Sequence, residues 1–254
     1  MNFDLSGRVA IVTGGNGGIG LGIARGLGQA GAALAIVGRD AGKSEAALAE
    51  LREAGIDAAV FTADLLDRSA VDAMVRAVVE RFGGVDILVA NAGTNTRMRP
   101  EDYPMETWDA IVDTNLGSVF ACCQAVFPMM RRRGGGKIVT IGSMTSIFGF
   151  SVGAAYGASK GAVVQLSKSL AVAWATDNIQ VNCILPGFID TALTQGARRD
   201  VAGLEQRVVD RTPAGRWGNP ADVAGAAVFF ASSASDFVTG TALPVDGGYS
   251  SFMA

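Results

Sequence analysis

Continuous apolar runs rich in β-branched residues alternate along this chain with longer stretches in which apolar positions recur at helical spacing. The runs at 8–13, 32–38, 56–63, 85–90, 137–142, 179–185 and 241–245 read as strands, and their continuity is that of strands covered on both faces of a parallel sheet. An apolar segment at 21–30 follows a glycine-rich turn, as a helix would. Over 67–82, Val71, Met74, Val75, Val78, Val79 and Phe82 keep the spacing of an amphipathic helix. A long helix is expected within 104–133, broken or capped near Asp113-Thr-Asn115. Val163, Leu166, Leu170 and Trp174 form a stripe behind Tyr156 and Lys160, and Val223, Ala227 and Phe230 mark a helix over 219–232 that opens on Asn-Pro. Strands alternating with helices of this length predict a parallel sheet with right-handed crossovers, whose ligands bind at the carboxyl ends of the strands.

Composition narrows the function classes. The 254 residues are 49% hydrophobic and 18% charged, enough for a sizeable core, and no composition shift divides them, so one domain spanning 1–254 is expected. A net charge of -3 and a pI near 5.0 leave no electrostatic footprint for nucleic acid or an anionic membrane. Mean hydropathy is +0.32, yet no apolar run approaches bilayer length and the N-terminus lacks a leader pattern, so a cytoplasmic protein with no membrane partner is expected. Cys122, Cys123 and Cys183 are not a disulfide framework and read as small buried apolar residues. There is no histidine. Ser-His-Asp and Cys-His catalysis and the usual histidine zinc sites are excluded, no metal is expected, and acid/base work falls to Tyr, Lys, Asp or Glu.

The candidate chemistry lies at the predicted strand ends. After the first strand comes Thr13-Gly-Gly-Asn-Gly-Gly-Ile-Gly20, in which Gly14, Asn16, Gly18, Ile19 and Gly20 are placed to bring backbone N–H groups to a pyrophosphate at a helix N-terminus. The second strand ends at Gly38-Arg39-Asp40. An acid there would bond the ribose 2′-hydroxyl of NAD, whereas an arginine accommodates the 2′-phosphate of NADP. With Gly38 in the acid's place, Arg39 favours NADP(H), while Asp40 leaves NAD(H) possible. Asp64 and Leu65 could meet an adenine edge, and Asn91-Ala92-Gly93 closes the fourth strand at the same crevice. The polar loop 94–104 carries Arg97 and Arg99, either of which could clamp a substrate carboxylate. Tyr156 and Lys160 are four apart, hence on one helical face, where an ammonium would lower the pKa of a phenol. Met144, Phe148, Phe150 and Phe188 offer an apolar wall, and the polar segment at 188–215 suits a lid.

Taken together, Thr13-Gly-x-x-x-Gly-Ile-Gly20, Asn91-Ala-Gly93, Asn115, Ser143, Tyr156-x-x-x-Lys160 and Pro186-Gly187 resemble the short-chain dehydrogenase/reductase family, in the family's order and over nearly the whole chain. The resemblance implies a doubly wound Rossmann fold, α/β, with about seven parallel strands. It implies Tyr156 as general acid/base, Ser143 holding the substrate oxygen, Lys160 lowering the tyrosine pKa and bonding the nicotinamide ribose, and Asn115 helping to hold a water. Ile189 and Thr191 would bind the carboxamide beside Pro186 and Gly187, and a homotetramer is expected. Two substrate groups are implied. Pro213-Ala-Gly-Arg-Trp217-Gly and Val245-Asp-Gly-Gly248 resemble sugar-acid dehydrogenases acting on gluconate-like compounds, with 3-oxoacyl thioesters or hydrophobic ketones as the alternative. A dinucleotide-binding regulator without turnover is the competing class, against which stands the intact set of Ser143, Tyr156, Lys160 and Asn115.

Overall fold

Strand edges rather than helix faces organise the molecule, because β-branched runs covered on both sides pair most readily in the middle of a sheet. A computed structural model describes residues 2–252, the side chains of Leu193 and Asp200 apart. Among these residues one parallel sheet contains β1 (Val9–Thr13), β2 (Ala33–Val37), β3 (Ala58–Phe61), β4 (Ile87–Ala90), β5 (Gly136–Ile141), β6 (Ile179–Pro186) and β7 (Ala242–Val245), ordered β3-β2-β1-β4-β5-β6-β7. The order reverses at β1, which pairs with both β2 and β4, and a crevice opens where connections leave in opposite directions. Register aligns the exits: Val37, Thr13, Ala90, Thr140 and Cys183 pair in one row across five strands. Residues just beyond that row therefore face one another.

Side chains alternate between two apolar layers, as period-two geometry requires. Val9 and Ile11 enter one layer with α3 (Arg68–Phe82), α5 (Ser118–Arg132) and α6 (Ala154–Trp174); Ala10 and Val12 enter the other with α1 (Gly18–Gln29), α2 (Ala41–Glu53) and α9 (Pro220–Ala231). Cys122, Cys123 and Cys183 are buried free thiols in the first layer. The expected elements appear within three residues of their predicted limits. Helix α2 lacks the clean apolar stripe that announces the others: only Ser44, Ala47, Leu48 and Leu51 of its residues are buried. The lid segment holds two short helices, α7 (Ala192–Asp200) and α8 (Leu204–Arg211).

Two expectations are corrected. The helix at 104–133 is neither broken nor capped at Asn115: α4 (Met105–Val112) runs through a π turn at Asp113–Gly117 directly into α5, a widening that absorbs one extra residue without losing the helical path. The merged helix, Met105–Arg132, has 28 residues and a window of mean hydropathy 1.4, so by length and composition it does match a membrane span. Its apolar side nevertheless belongs to the core, through Ile111, Val119, Cys122, Val126 and Met130.

Candidate active site

The glycine turn leaves β1 at the centre of the aligned strand ends, and two glycines there are obligatory. Gly14 has φ +61°, and a Cβ on it would lie 3.0 Å from Asn91 Nδ2 and 3.1 Å from the Ala92 Cα. A Cβ on Gly20 would reach to 2.2 Å from the Gly14 carbonyl oxygen, so the turn closes on itself only with glycine. Asn91 braces the turn: its Nδ2 donates to the carbonyls of Thr13 and Gly14, while the N–H groups of Asn91 and Ala92 donate to Thr13 Oγ1. Helix α1 then begins after Gly17 with no side-chain cap and no acid in its first turn. Its first N–H groups remain for an anion, and the dipole favours one there. An uncapped helix start behind a glycine-only turn suits a dinucleotide pyrophosphate.

From that turn a cleft of about 530 Å³ runs across the strand ends to Ser143 and Tyr156. Among the described residues its lining contains three cations, Lys43, Arg97 and Lys160, and no carboxylate. Lys43 lies in the first turn of α2, Arg97 on the loop after β4, and Lys160 on α6.

The catalytic end is assembled from β5 and α6. Ser143 caps a short 3-10 turn, its Oγ accepting from the Thr145 N–H at 3.1 Å; Ser146 Oγ accepts from the Ser143 N–H and donates to the Lys160 carbonyl at 2.8 Å, tying the turn to α6. Lys160 is 4% exposed, and its Nζ donates to the Ile141 carbonyl at 2.8 Å. Burial pulls its pKa down to about 8. Nζ stands 5.8 Å from the Tyr156 ring centroid. The expected lowering of the phenol by the ammonium is not what this arrangement shows. Burial pushes the Tyr156 phenol up, and the groups that pull against it are the Ser143 hydroxyl and the Arg97 charge. Asn115 is fully buried and lies outside the cleft wall. Its Oδ1 accepts from the Thr94 N–H at 2.7 Å, and its Nδ2 donates to the Thr94 carbonyl and to Ser159 Oγ.

A family model described as enoyl-(acyl carrier protein) reductase matches residues 14–250. The chain belongs to the short-chain dehydrogenase/reductase family. The enzyme is 44% identical over 249 residues to 2-dehydro-3-deoxy-D-gluconate 5-dehydrogenase of Bacillus subtilis, covering 97% of this chain and 96% of that one. It is 40% identical to gluconate 5-dehydrogenase of Gluconobacter oxydans, covering 97% and 96%. Among solved structures, gluconate 5-dehydrogenase from Burkholderia cenocepacia, in complex with NADP and tartrate, superposes with a TM-score of 0.94 at 41% identity over 99% of this chain and 98% of that one.

Of the residues read from the sequence, Gly14, Asn16, Gly18, Ile19, Asn91, Ala92, Gly93, Ser143, Tyr156, Lys160, Pro186, Gly187, Ile189 and Thr191 line the cleft of this short-chain dehydrogenase/reductase. Gly20, Arg39, Asp64 and Leu65 do not. Gly20 packs behind the turn, Arg39 is exposed past β2, and Asp64 accepts from the Leu66 N–H, closing its own local turn. Asp40 is an α2 cap, accepting from the Lys43 N–H at 3.0 Å, so its carboxylate is committed to the helix. Arg97 lines the cleft, whereas Arg99 is paired with Glu101. Met144, Phe150 and Phe188 form the apolar wall; Phe148 instead packs against Tyr249, ring centroids 6.2 Å apart. Lys43 escaped the sequence reading, and its one signal is a place in the first turn of a helix that weak periodicity concealed.

Proposed function

We propose that the enzyme interconverts a keto sugar acid and its secondary alcohol with NADP(H), Tyr156 serving as general acid/base. The observation that carries this reading is a cleft whose charged lining residues, among those described, are all cations, with Arg97 close enough to Tyr156 for its charge to act on the phenol. A guanidinium in the same cleft as the reacting oxygen suits a carboxylate on the same small substrate. The relatives named for gluconate and its keto and deoxy derivatives support the substrate class. NADP(H) is favoured because no carboxylate among the described residues lines the cleft and Asp40 is spent as a cap.

Bound at the cleft, the dinucleotide supplies or accepts the hydride. Tyr156 gives its phenolic proton to the substrate oxygen in reduction and takes it back in oxidation. Ser143 Oγ accepts from Thr145, so its own proton is free to reach the same oxygen, a bond that strengthens as charge builds there. Lys160 contributes a buried cation beside the phenol. Asn115 positions it indirectly, pinning Thr94 and the Ser159 turn of α6. Helices α7 and α8 would close over the substrate as the lid, within 188–215 of a single-domain, cytoplasmic homotetramer.

The test follows NADPH absorbance with 5-keto-D-gluconate, other keto sugar acids and hydroxyl-free ketones. Turnover of the acids supports the proposal. A preference for hydrophobic ketones would instead assign the site to the wall of Met144, Phe150 and Phe188. With Arg97→Leu, KM for the acid should rise about tenfold to a hundredfold, the worth of one charge-assisted pair, with a much smaller change for a neutral ketone. Equal losses on both substrates would remove Arg97 from carboxylate binding.

A further inference from the structure

At the end of the cleft away from Tyr156, Asn16 and Lys43 approach the terminus of β2 from the glycine turn and from α2. Gly38, the last residue before Arg39, does not have a positive φ, so its backbone would accept any side chain. What stands in the way is Asn16. A Cβ at position 38 would lie 2.3 Å from Asn16 Nδ2 and 3.1 Å from Ser44 Oγ. The amide is held in place: Nδ2 donates to Ser44 Oγ at 3.0 Å, Ser44 Oγ donates to the Asp40 carbonyl at 2.8 Å, and the Asp40 carboxylate accepts from the Lys43 N–H at 3.0 Å. One chain of hydrogen bonds thus fixes both the amide over Gly38 and the first turn of α2, which carries the Lys43 ammonium.

We propose that Asn16 and Lys43 select the dinucleotide. Asn16 occupies the space in which a carboxylate for a ribose 2′-hydroxyl would stand, and Lys43 sets an exposed cation at the same end of the cleft, suited to a 2′-phosphate. The inference rests on the preference for NADP(H) proposed above and adds how the chain enforces it. It also makes positions 16 and 38 interdependent. An acid at 38 forces the Asn16 amide to swing out and break its bond to Ser44, so the acid is useful only once position 16 is small.

Calorimetric titration of the purified enzyme with NADPH and with NADH tests this without recourse to turnover. Wild type should bind NADPH more tightly. Lys43→Gln, a change at an exposed side chain, should weaken NADPH about tenfold and NADH by less than about twofold, as expected for loss of one charge-assisted contact to phosphate. Gly38→Asp alone should weaken both, whereas Asn16→Ser with Gly38→Asp should bind NADH more tightly than wild type. Equal weakening of both dinucleotides in Lys43→Gln overturns the role of Lys43, and a Gly38→Asp single variant that gains NADH as fully as the double variant overturns that of Asn16. Equal binding by wild type would instead sink the NADP preference itself, before any variant is compared.

Discussion

Replacing Tyr156 by phenylalanine is expected to lower turnover about a thousandfold, within the range for removing a positioned general acid, while dinucleotide affinity changes no more than a few-fold. Phenylalanine keeps the ring that packs at the start of α6 and removes only the hydroxyl, so the fold has no reason to respond. The raised pKa of the phenol gives the two reaction directions opposite pH profiles. Reduction needs the protonated phenol. Burial keeps it protonated through the neutral range, so reduction should hold its rate there and fall only on the alkaline side. Oxidation needs the phenolate, so its rate should climb with pH above neutrality. Steady-state rates in both directions, for wild type and Tyr156→Phe, check the two statements together. A variant of undiminished turnover would remove Tyr156 from the chemistry, and parallel pH profiles in the two directions would mean another group carries the proton.

Strands and site could be read from the chain to different depths, for physical reasons. Continuous runs such as Val9–Thr13 and Ile87–Ala90 carry their own evidence, since they are buried on both faces and bounded by polar or glycine residues. Tyr156 and Lys160 share a helix, and their nearness follows from spacing alone. Asp40 could not be read that way. As a residue after a strand it resembled a ribose contact, yet as the residue before Ala41–Glu53 it is a cap, and only recognition of the weakly amphipathic α2 tells the two apart. Lys43 enters the cleft for the same hidden reason. Asn115 advertised itself as a polar residue inside a helix, but the answer, a π turn whose amide latches the Thr94 loop, depends on contacts 21 and 44 residues away in sequence. Spacing supplies proximity and not dielectric: burial raises the Tyr156 phenol, and the groups that oppose it are the Ser143 hydroxyl and the Arg97 charge.

Lys160→Met should abolish most activity and yet leave the dinucleotide-free enzyme more stable at neutral pH. The lysine is buried with a folded-state pKa of about 8 against an ordinary 10.5. The difference corresponds to about 3 kcal/mol of penalty for holding the charged form inside the protein. Because the folded pKa lies below the unfolded one, the folded state binds fewer protons between them. The penalty is therefore present in full below about pH 8 and is relieved as pH rises toward 10.5. Methionine fills similar volume without charge but leaves the Ile141 carbonyl without its donor, which costs about 1 kcal/mol. The net expected gain is about 2 kcal/mol near neutrality, shrinking and then reversing on the alkaline side. Urea unfolding midpoints of variant and wild type, compared as a difference across that pH range, cancel the titrations the two share. A variant less stable than wild type at neutral pH, or a difference that does not change with pH, would mean Lys160 is not held at a cost. The outcome bears on function, because a cation kept buried against its own hydration is a cation retained for what it does to the reacting oxygen and not for what it does for the fold.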